Sequence, residues 1–439
     1  MKRLSRRVTL RRLIAVAGAG LLLSAGLGVA AASAADQTPA AAGGTPATKV
    51  PMIPCALKYA SGYLYVGADT AVYKVSQRSG QATAIVAKLP PAPTVPGFGG
   101  ACGVAVDGAG NMLVADGDGV VAVAARTGTF YGRKMVKGHV YLLDNQWQPG
   151  PEDVQLDPSG NVVFAVPGEP ASHTNNEQDS QIFVLAEHTG TFYGQKMTKG
   201  RRYLIAGVLN GGQSGSPCDG PDAAAAASGP RAATGPAAAT KATAANLGYQ
   251  IGALRFDAEG NIILADSGGD DGSPCGANYY DVPPRVAVIP ARTGSYYGQK
   301  MTVGDIYPIA GLGTRTGSGV PAVDSKLVSV LAVAVDHSGN ILVATGFNDN
   351  PYPAVEVIAA KTGAFYGRKM IKGDIYPLIS SLAGMGSGAA SVAVDSAGNV
   401  LVGTEYEVHM LAEKTGDYYG VKARAGHVYA IAGTGAYPG

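Results

Sequence analysis

The chain has 439 residues, 46% of them hydrophobic and 15% charged, a balance that excludes a disordered chain. Its length exceeds one ordinary core, which leaves several domains or a repeat array. The formal net charge of +2 belongs to the first twelve residues, which hold six of the 34 Lys+Arg and no acid; the other 28 cations face 32 anions, a net of −4, and exclude a basic nucleic-acid footprint.

Residues 1–34 have the layout of an export signal. A basic "MKRLSRRVTLRR" precedes a long, weakly apolar run, and Ala32–Ala34 form a small-residue cleavage site. "SRRVTLR" (Ser5–Arg11) is similar to a twin-arginine signal, with Thr9 at the place usually held by Phe. An uncleaved membrane anchor is the competing reading, since the run is about long enough to span a bilayer. No later stretch is, so the expectation is a secreted, extracellular chain without a transmembrane segment after cleavage. Residues 35–54, rich in Ala, Thr and Pro, read as a flexible lead-in to one domain over 55–439.

That domain is a repeat. Its first unit, "ALKYASGYLYVGADTAVYKVSQRSGQATAIVAK" (Ala56–Lys88), is degenerate. Five closer copies follow, each opening on a phrase such as "CGVAVDGAGNMLVAD" (Cys102–Asp116) or "LAVAVDHSGNILVAT" (Leu331–Thr345). Two alternating β-branched runs around D-x-x-G-N predict a hairpin, with Asp bonding backbone N–H groups and Gly at positive φ. A third run precedes a Thr-Gly. Then comes a 17-residue cassette, "TGTFYGRKMVKGHVYLL" (Thr127–Leu143), which returns from Thr189, Thr293, Thr362 and Thr415. Its end supplies a fourth strand. Four strands per unit and six units predict an all-β, six-bladed β-propeller of four-stranded antiparallel blades, the first degenerate.

The repeated G-V-A-V-D-x-x-G-N phrase resembles that of NHL-repeat β-propellers, particularly secreted actinobacterial members with a T-G-x-Y-Y-G insert. The resemblance spans about residues 55–433 and implies the fold; the family is functionally diverse, so it implies no one activity. A complete last strand near 427–432 suggests that none is lent across the ring's seam, although Thr48–Ile53 could add one.

Four cysteines in an exported chain predict two disulfides. Strand topology favours Cys55–Cys102, at the inner-strand entries of neighbouring blades, and Cys218–Cys275, tethering the low-complexity insertion over 210–248. Metal ligation is a poorer alternative, because no two cysteines have ligand spacing.

Candidate chemistry gathers on the face carrying the inner-strand entries and the loops after the second strands. Asp116, Asp118 and His173 are candidate ligand contacts there. Asp266, Asp270 and Asp271 could hold Ca²⁺ or another divalent metal, a solvated polar loop being the plainer reading. Related six-bladed amidating and streptogramin lyases place histidines, or histidine with glutamate, around a metal. Glu405, Glu407 and His409 alone loosely match that pattern as a catalytic set. His139 and His427 share a slot that also takes Arg201, Asp305 and Asp374, which marks them as surface residues. The lone Trp147 reads as an aromatic cap between blades or a ligand platform. In the cassette, Lys134, Lys196, Lys300, Lys369 and Lys422 recur in one slot. They either meet an anionic polymer or cover the outer blade edge with their alkyl stems while a tyrosine packs over it.

The expected function is a monomeric, non-catalytic binding or scaffolding module of the cell envelope. Its partner would be an envelope protein, a glycan or a small molecule, not a nucleic acid. The alternative is a metal-assisted lyase or lactone hydrolase on the top face.

Overall fold

The computed structural model describes residues 44–68, 71–86, 102–115, 119–145, 150–168, 180–208, 240–248, 250, 251–268, 282–346, 354–380 and 389–436. The expected signal segment, Asp116, Asp118, Trp147, His173, Asp270, Asp271, Cys218 and Cys275, and most of the 210–248 insertion lie outside the described residues.

Six antiparallel blades follow one another along the chain. Blade 1 runs from the axis outward as Pro54–Ala60, Tyr63–Ala68, Ala71–Ser76 and Gln81–Val86. Blade 2 has Gly103–Val106, Met112–Ala115, Val120–Val123 and Val140–Asp144; blade 3 has Asp153–Leu156, Val162–Val166, Gln181–Leu185 and Arg202–Ala206. Blade 4 comprises Ile251–Phe256, Ile262–Asp266, Arg285–Ile289 and Asp305–Ala310, and blade 5 Val330–Val335, Ile341–Thr345, Val355–Ile358 and Asp374–Ile379. Ser391–Val394, Val400–Gly403, Glu407–Leu411 and Val428–Gly433 complete blade 6. The degenerate first unit keeps all four strands. Its first hairpin closes on Ser61 and Gly62, both at positive φ, the geometry of a two-residue I′ turn.

Each blade packs both faces against neighbours, so its second strand is apolar on both sides: Leu113, Val114 and Ala115 have no exposed surface. The interblade cores are continuous around the ring. One joins Tyr65 and Val72 of blade 1 to Val104 and Val114 of blade 2; at the seam, Leu57 and Val66 of blade 1 meet Val408 and Met410 of blade 6. Among the described residues no helix is long and apolar enough to cross a membrane.

Among the described residues, three blades carry a fifth edge strand beyond the four expected. Thr45–Pro46, Thr240–Lys241 and Val320–Pro321 pair with the outer strands of blades 1, 4 and 5. Each runs into a single 3-10 turn whose first residue (Ala47, Ala242 or Ala322) is buried. The turn packs on the outer strand of the preceding blade, where Gly207 N–H donates to Ala242 O and Gly311 N–H to Ala322 O. Each short segment thus covers one outer edge and clasps it to the next. For blade 1 the preceding blade is blade 6, so residues 45–49 bridge the seam. The strand there is Thr45–Pro46 rather than Thr48–Ile53, and this part of the expected flexible lead-in is built structure.

The disulfide Cys55–Cys102 joins the inner-strand entries of blades 1 and 2, Cα atoms 5.0 Å apart, as strand topology predicted.

Candidate functional site

The cassette is a second, smaller hairpin standing between the third and outer strands. In blade 2, Gly128–Phe130 pairs with Arg133–Met135 around Tyr131 and Gly132, at φ 51° and 71°. A tyrosine in the left-handed region is unusual and costs on the order of 1 kcal/mol. All five copies have one: Tyr131, Tyr193, Tyr297, Tyr366 and Tyr419. The reason lies beneath it. Tyr131 OH donates to Asp107 Oδ2 at 2.8 Å, and Asp107 is the aspartate of the D-x-x-G-N turn in the same blade. Its Oδ1 accepts the N–H of Ala109 and Asn111, and its Oδ2 also accepts Asn111 Nδ2. Asn111 Oδ1 in turn accepts Ala125 N–H at the end of the third strand. The same Asp–Asn–Tyr lock forms with Asp157, Asp257, Asp336 and Asp395, and burial beside the carboxylate pushes these phenols up.

The other repeated positions are equally occupied. Thr127 Oγ1 accepts Lys137 N–H, and the closing Tyr141 OH accepts Val136 N–H. Met135 is 1% exposed. The structure therefore corrects the picture of these tyrosines laid over a bare edge: the tyrosine reaches inward to an aspartate, and in blades 4 and 5 a short edge strand covers the outer edge. Among the described residues, the slot lysine is the repeated polar position with no side-chain hydrogen bond or ion pair. Lys134, Lys196, Lys300, Lys369 and Lys422 are all exposed, and of the eight cassette lysines Lys199 alone forms an ion pair among the described residues.

Clefts open on the cassette side between one blade's cassette and the next blade's turn. One, of about 380 Å³, is bordered by Tyr131, Pro158 and Glu187. Another, of about 530 Å³, is bordered by Tyr297, Glu259, His337 and Lys372. The candidate ligand contacts expected from the sequence belong to the opposite face, most of whose loops after the second strands lie outside the described residues.

Glu405, Glu407 and His409 are brought only partly together. His409 Nε2 lies 3.3 Å from Glu407 Oε2, while Glu405 accepts the Tyr406 hydroxyl. His409 is 7% exposed. Its register partner Val402 and its neighbour Leu411 belong to the core shared with blade 5. Burial lowers its pKa, with Glu407 opposing. Asp266 is wholly buried: Oδ2 accepts Arg285 Nε at 2.9 Å, and Oδ1 accepts Gly248 and Gly268 N–H. Among the described residues no three His, Cys, Asp or Glu side chains gather as a metal site.

A cluster of residues that depart from the repeat sits on the axis. Counted from the bonded cysteines, Lys58 and Ala105 are third residues after Cys55 and Cys102. The same inner-strand slot holds Gln155 in blade 3, Arg255 in blade 4, and Ala334 and Ala393 in blades 5 and 6. Lys58 Nζ donates to Gln155 Oε1 at 3.2 Å. Blades 1 and 3 are not neighbours, so this bond lies within the central channel and passes over blade 2. Gln155 Nε2 donates to Asp153 Oδ1, and Arg255 NH1 donates to Asp153 Oδ2 at 3.0 Å and to Leu254 O. Burial, then the charge of Arg255, pushes Lys58 down to about 8, with Asp153 opposing. At the mouth, Gln250 Nε2 donates to Glu152 Oε1, whereas Oε2 is buried without a partner among the described residues. Burial pushes Glu152 up to about 8. The departures from V-A-V-D, namely "VQLD", "LRFD" and "LKYA", were the signal available in the sequence.

Fold and axis together define a closed six-bladed antiparallel propeller with a mixed-charge axial cluster. No family model matches the chain, and no curated protein does. Solved structures similar to it include a gluconolactonase from Xanthomonas campestris, 12% identical over 81% of this chain and 83% of that one, with a TM-score of 0.43. A calcium-binding regucalcin from Agrobacterium tumefaciens is 12% identical over 83% and 85%, TM-score 0.42. A Bacteroides thetaiotaomicron protein of unknown function is 12% identical over 81% and 68%, TM-score 0.44. These likenesses are distant; the propeller assignment stands on this chain's own ring of blades.

Proposed function

We propose that the chain is an exported NHL-type propeller that works by binding, and that its outer hairpins are the contact surface for an anionic polymer of the cell envelope. The distribution of charge carries this reading. The five 17-residue cassettes hold 13 of the 34 Lys+Arg but three of the 32 Asp+Glu, so a chain that is acidic beyond residue 34 wears a cationic fringe. Each cassette lies beyond the third strand, far from the axis. Five cations so placed suit an extended polymer laid along the rim and not one central ligand. Exposed lysines without ion pairs gain affinity by releasing the polymer's counterions. The Glu407–His409 pair supports the non-catalytic side of the reading, because its imidazole is already engaged within an interblade seam.

Long-chain polyphosphate, immobilised and titrated with residues 35–439 at several salt concentrations, tests this. Binding should weaken with salt. The variant with Lys134, Lys196, Lys300, Lys369 and Lys422 all changed to Gln should lose at least about tenfold in affinity and show a shallower salt slope. Equal binding by that variant would overturn the proposal. Hydrolysis of a lactone in the presence of Ca²⁺ or Zn²⁺, abolished by His409→Ala, would replace it with the enzymatic reading.

A further inference from the structure

We propose that the axial cluster is a binding site for one small oxyanion, a carboxylate or phosphate group, received between Lys58 and Arg255. Three observations converge on it. The first is position. Blades 1 and 4 stand opposite one another in a ring of six, yet Lys58 and Arg255 are close enough to repel, and both approach Asp153. They therefore meet at the axis, where blade 3 contributes Gln155 in the same slot and blades 2, 5 and 6 only Ala105, Ala334 and Ala393. Alanine side chains carry no acceptor, so these three blades offer nothing in that slot to pair with either cation.

The second is the donor inventory. A lysine ammonium has three N–H donors and an arginine guanidinium five. Among the described residues Lys58 has one acceptor, Gln155 Oε1. Arg255 spends NH1 on Asp153 and Leu254 O, and its Nε and NH2 find no acceptor among the described residues. Donors thus outnumber acceptors in a place largely withdrawn from water, the situation that an oxyanion's several lone pairs resolve.

The third is charge. Burial pushes the Asp153 carboxyl up, but its two oxygens accept four donors (Val154 and Leu254 N–H, Gln155 Nε2 and Arg255 NH1), the pattern of a carboxylate, and it balances one of the two cations. Glu152, the other nearby carboxyl, is held largely protonated at neutral pH by burial, so it balances none. One positive charge is left in a site where burial disfavours it. A single anion completes the set, and Glu152 at the mouth presents a neutral, hydrogen-bonding rim instead of a repelling one. Gln155, tied to both Lys58 and Asp153, acts as a positioning residue that holds the ammonium on the axis.

The test uses residues 35–439 at pH 7 and constant ionic strength, with chloride replaced in turn by inorganic phosphate and by acetate. Isothermal titration of each anion runs in parallel. The expected result is a saturable rise in unfolding temperature of about 2–4 °C, larger for whichever of the two anion classes the site prefers. In Lys58→Met, which keeps side-chain volume, the rise should vanish; Lys58→Arg should restore part of it. The five-lysine hairpin variant should respond as the wild type does, which separates this site from polymer binding at the rim. No rise above chloride with no binding heat, or an undiminished rise in Lys58→Met, would overturn the proposal.

Discussion

Lys58 and Glu152 sit within one axial network, and burial penalises the charged form of each, so their pH signatures run in opposite directions. A lysine with a folded pKa of about 8 against 10.5 unfolded binds fewer protons folded than unfolded between those values. Its contribution to stability therefore rises with pH across that window. Glu152, about 8 folded against 4.5, binds more protons folded, so its contribution falls between pH 4.5 and 8. With no oxyanion present, stability should pass through a local minimum near pH 8. Lys58→Met should stabilise the protein at pH 7, by on the order of a few kcal/mol, and the advantage should disappear above about pH 10.5. Chemical denaturation of both proteins from pH 5 to 11 measures this, and a constant difference across the range would contradict it. Neither group was legible as a site while the repeat was read for what it shares. Lys58 lies in the degenerate unit, and Gln155 and Arg255 replace alanines in a phrase that otherwise matches; only departures from the repeat expose them.

The cassette hairpin was legible as an element and illegible in its orientation. Five copies announced a module between the third and outer strands. Whether Tyr366 or Lys369 faces the blade depends on a two-residue turn at Tyr366 and Gly367, both at positive φ, and a tyrosine gives no hint of that conformation. Once the turn is set, alternation sends Met370 inward and Lys369 outward. The lock beneath is worth testing in isolation. Tyr366→Phe removes one hydrogen bond to Asp336, whose oxygens still accept from Ser338, Asn340 N–H and Asn340 Nδ2. No carboxylate is left bare, so the loss should be near the low end for a bond to a charged group, about 1.5 kcal/mol. Lys369→Gln in the same hairpin should change stability by less than about 0.5 kcal/mol. Hydrogen exchange should show the loss concentrated in the amides of Gly363–Phe365 and Arg368–Met370; a uniform loss across blade 5 would mean that the lock serves the whole blade instead.

A ring of six similar blades has one joint unlike the others, where the first blade must meet the last without a covalent link nearby. Here blade 1 lacks the D-x-x-G-N lock and offers other groups. Gln77 Nε2 donates to Asp395 Oδ2, Gln77 O accepts Tyr419 N–H, and Tyr59 OH reaches both Gln77 and Ser396. Gly80, at φ 64°, lies directly against the Tyr419 carbonyl, where a Cβ would collide. Residues 45–49 then cross the joint, pairing with Gln81 and Ala82 and placing Ala47 against the core that holds Ile431 and Ala432 of blade 6. A complete fourth strand at the end of the sequence suggests that none is lent across the seam, and blade 6 is built from its own four strands; the two-residue strand that covers blade 1 beside the joint is too short for alternation to reveal. Its relatives at Thr240–Lys241 and Val320–Pro321 seal joints that continuous chain also secures, so the loss of this one should matter most. A chain beginning at Pro51 should therefore unfold at lower denaturant than one beginning at residue 35. Its amides should exchange faster in Gln81–Val86 and Val428–Gly433 while those of blades 3 and 4 keep their protection. Equal protection at the seam in both chains would mean that the interblade core and the Gln77–Asp395 bond close the ring unaided.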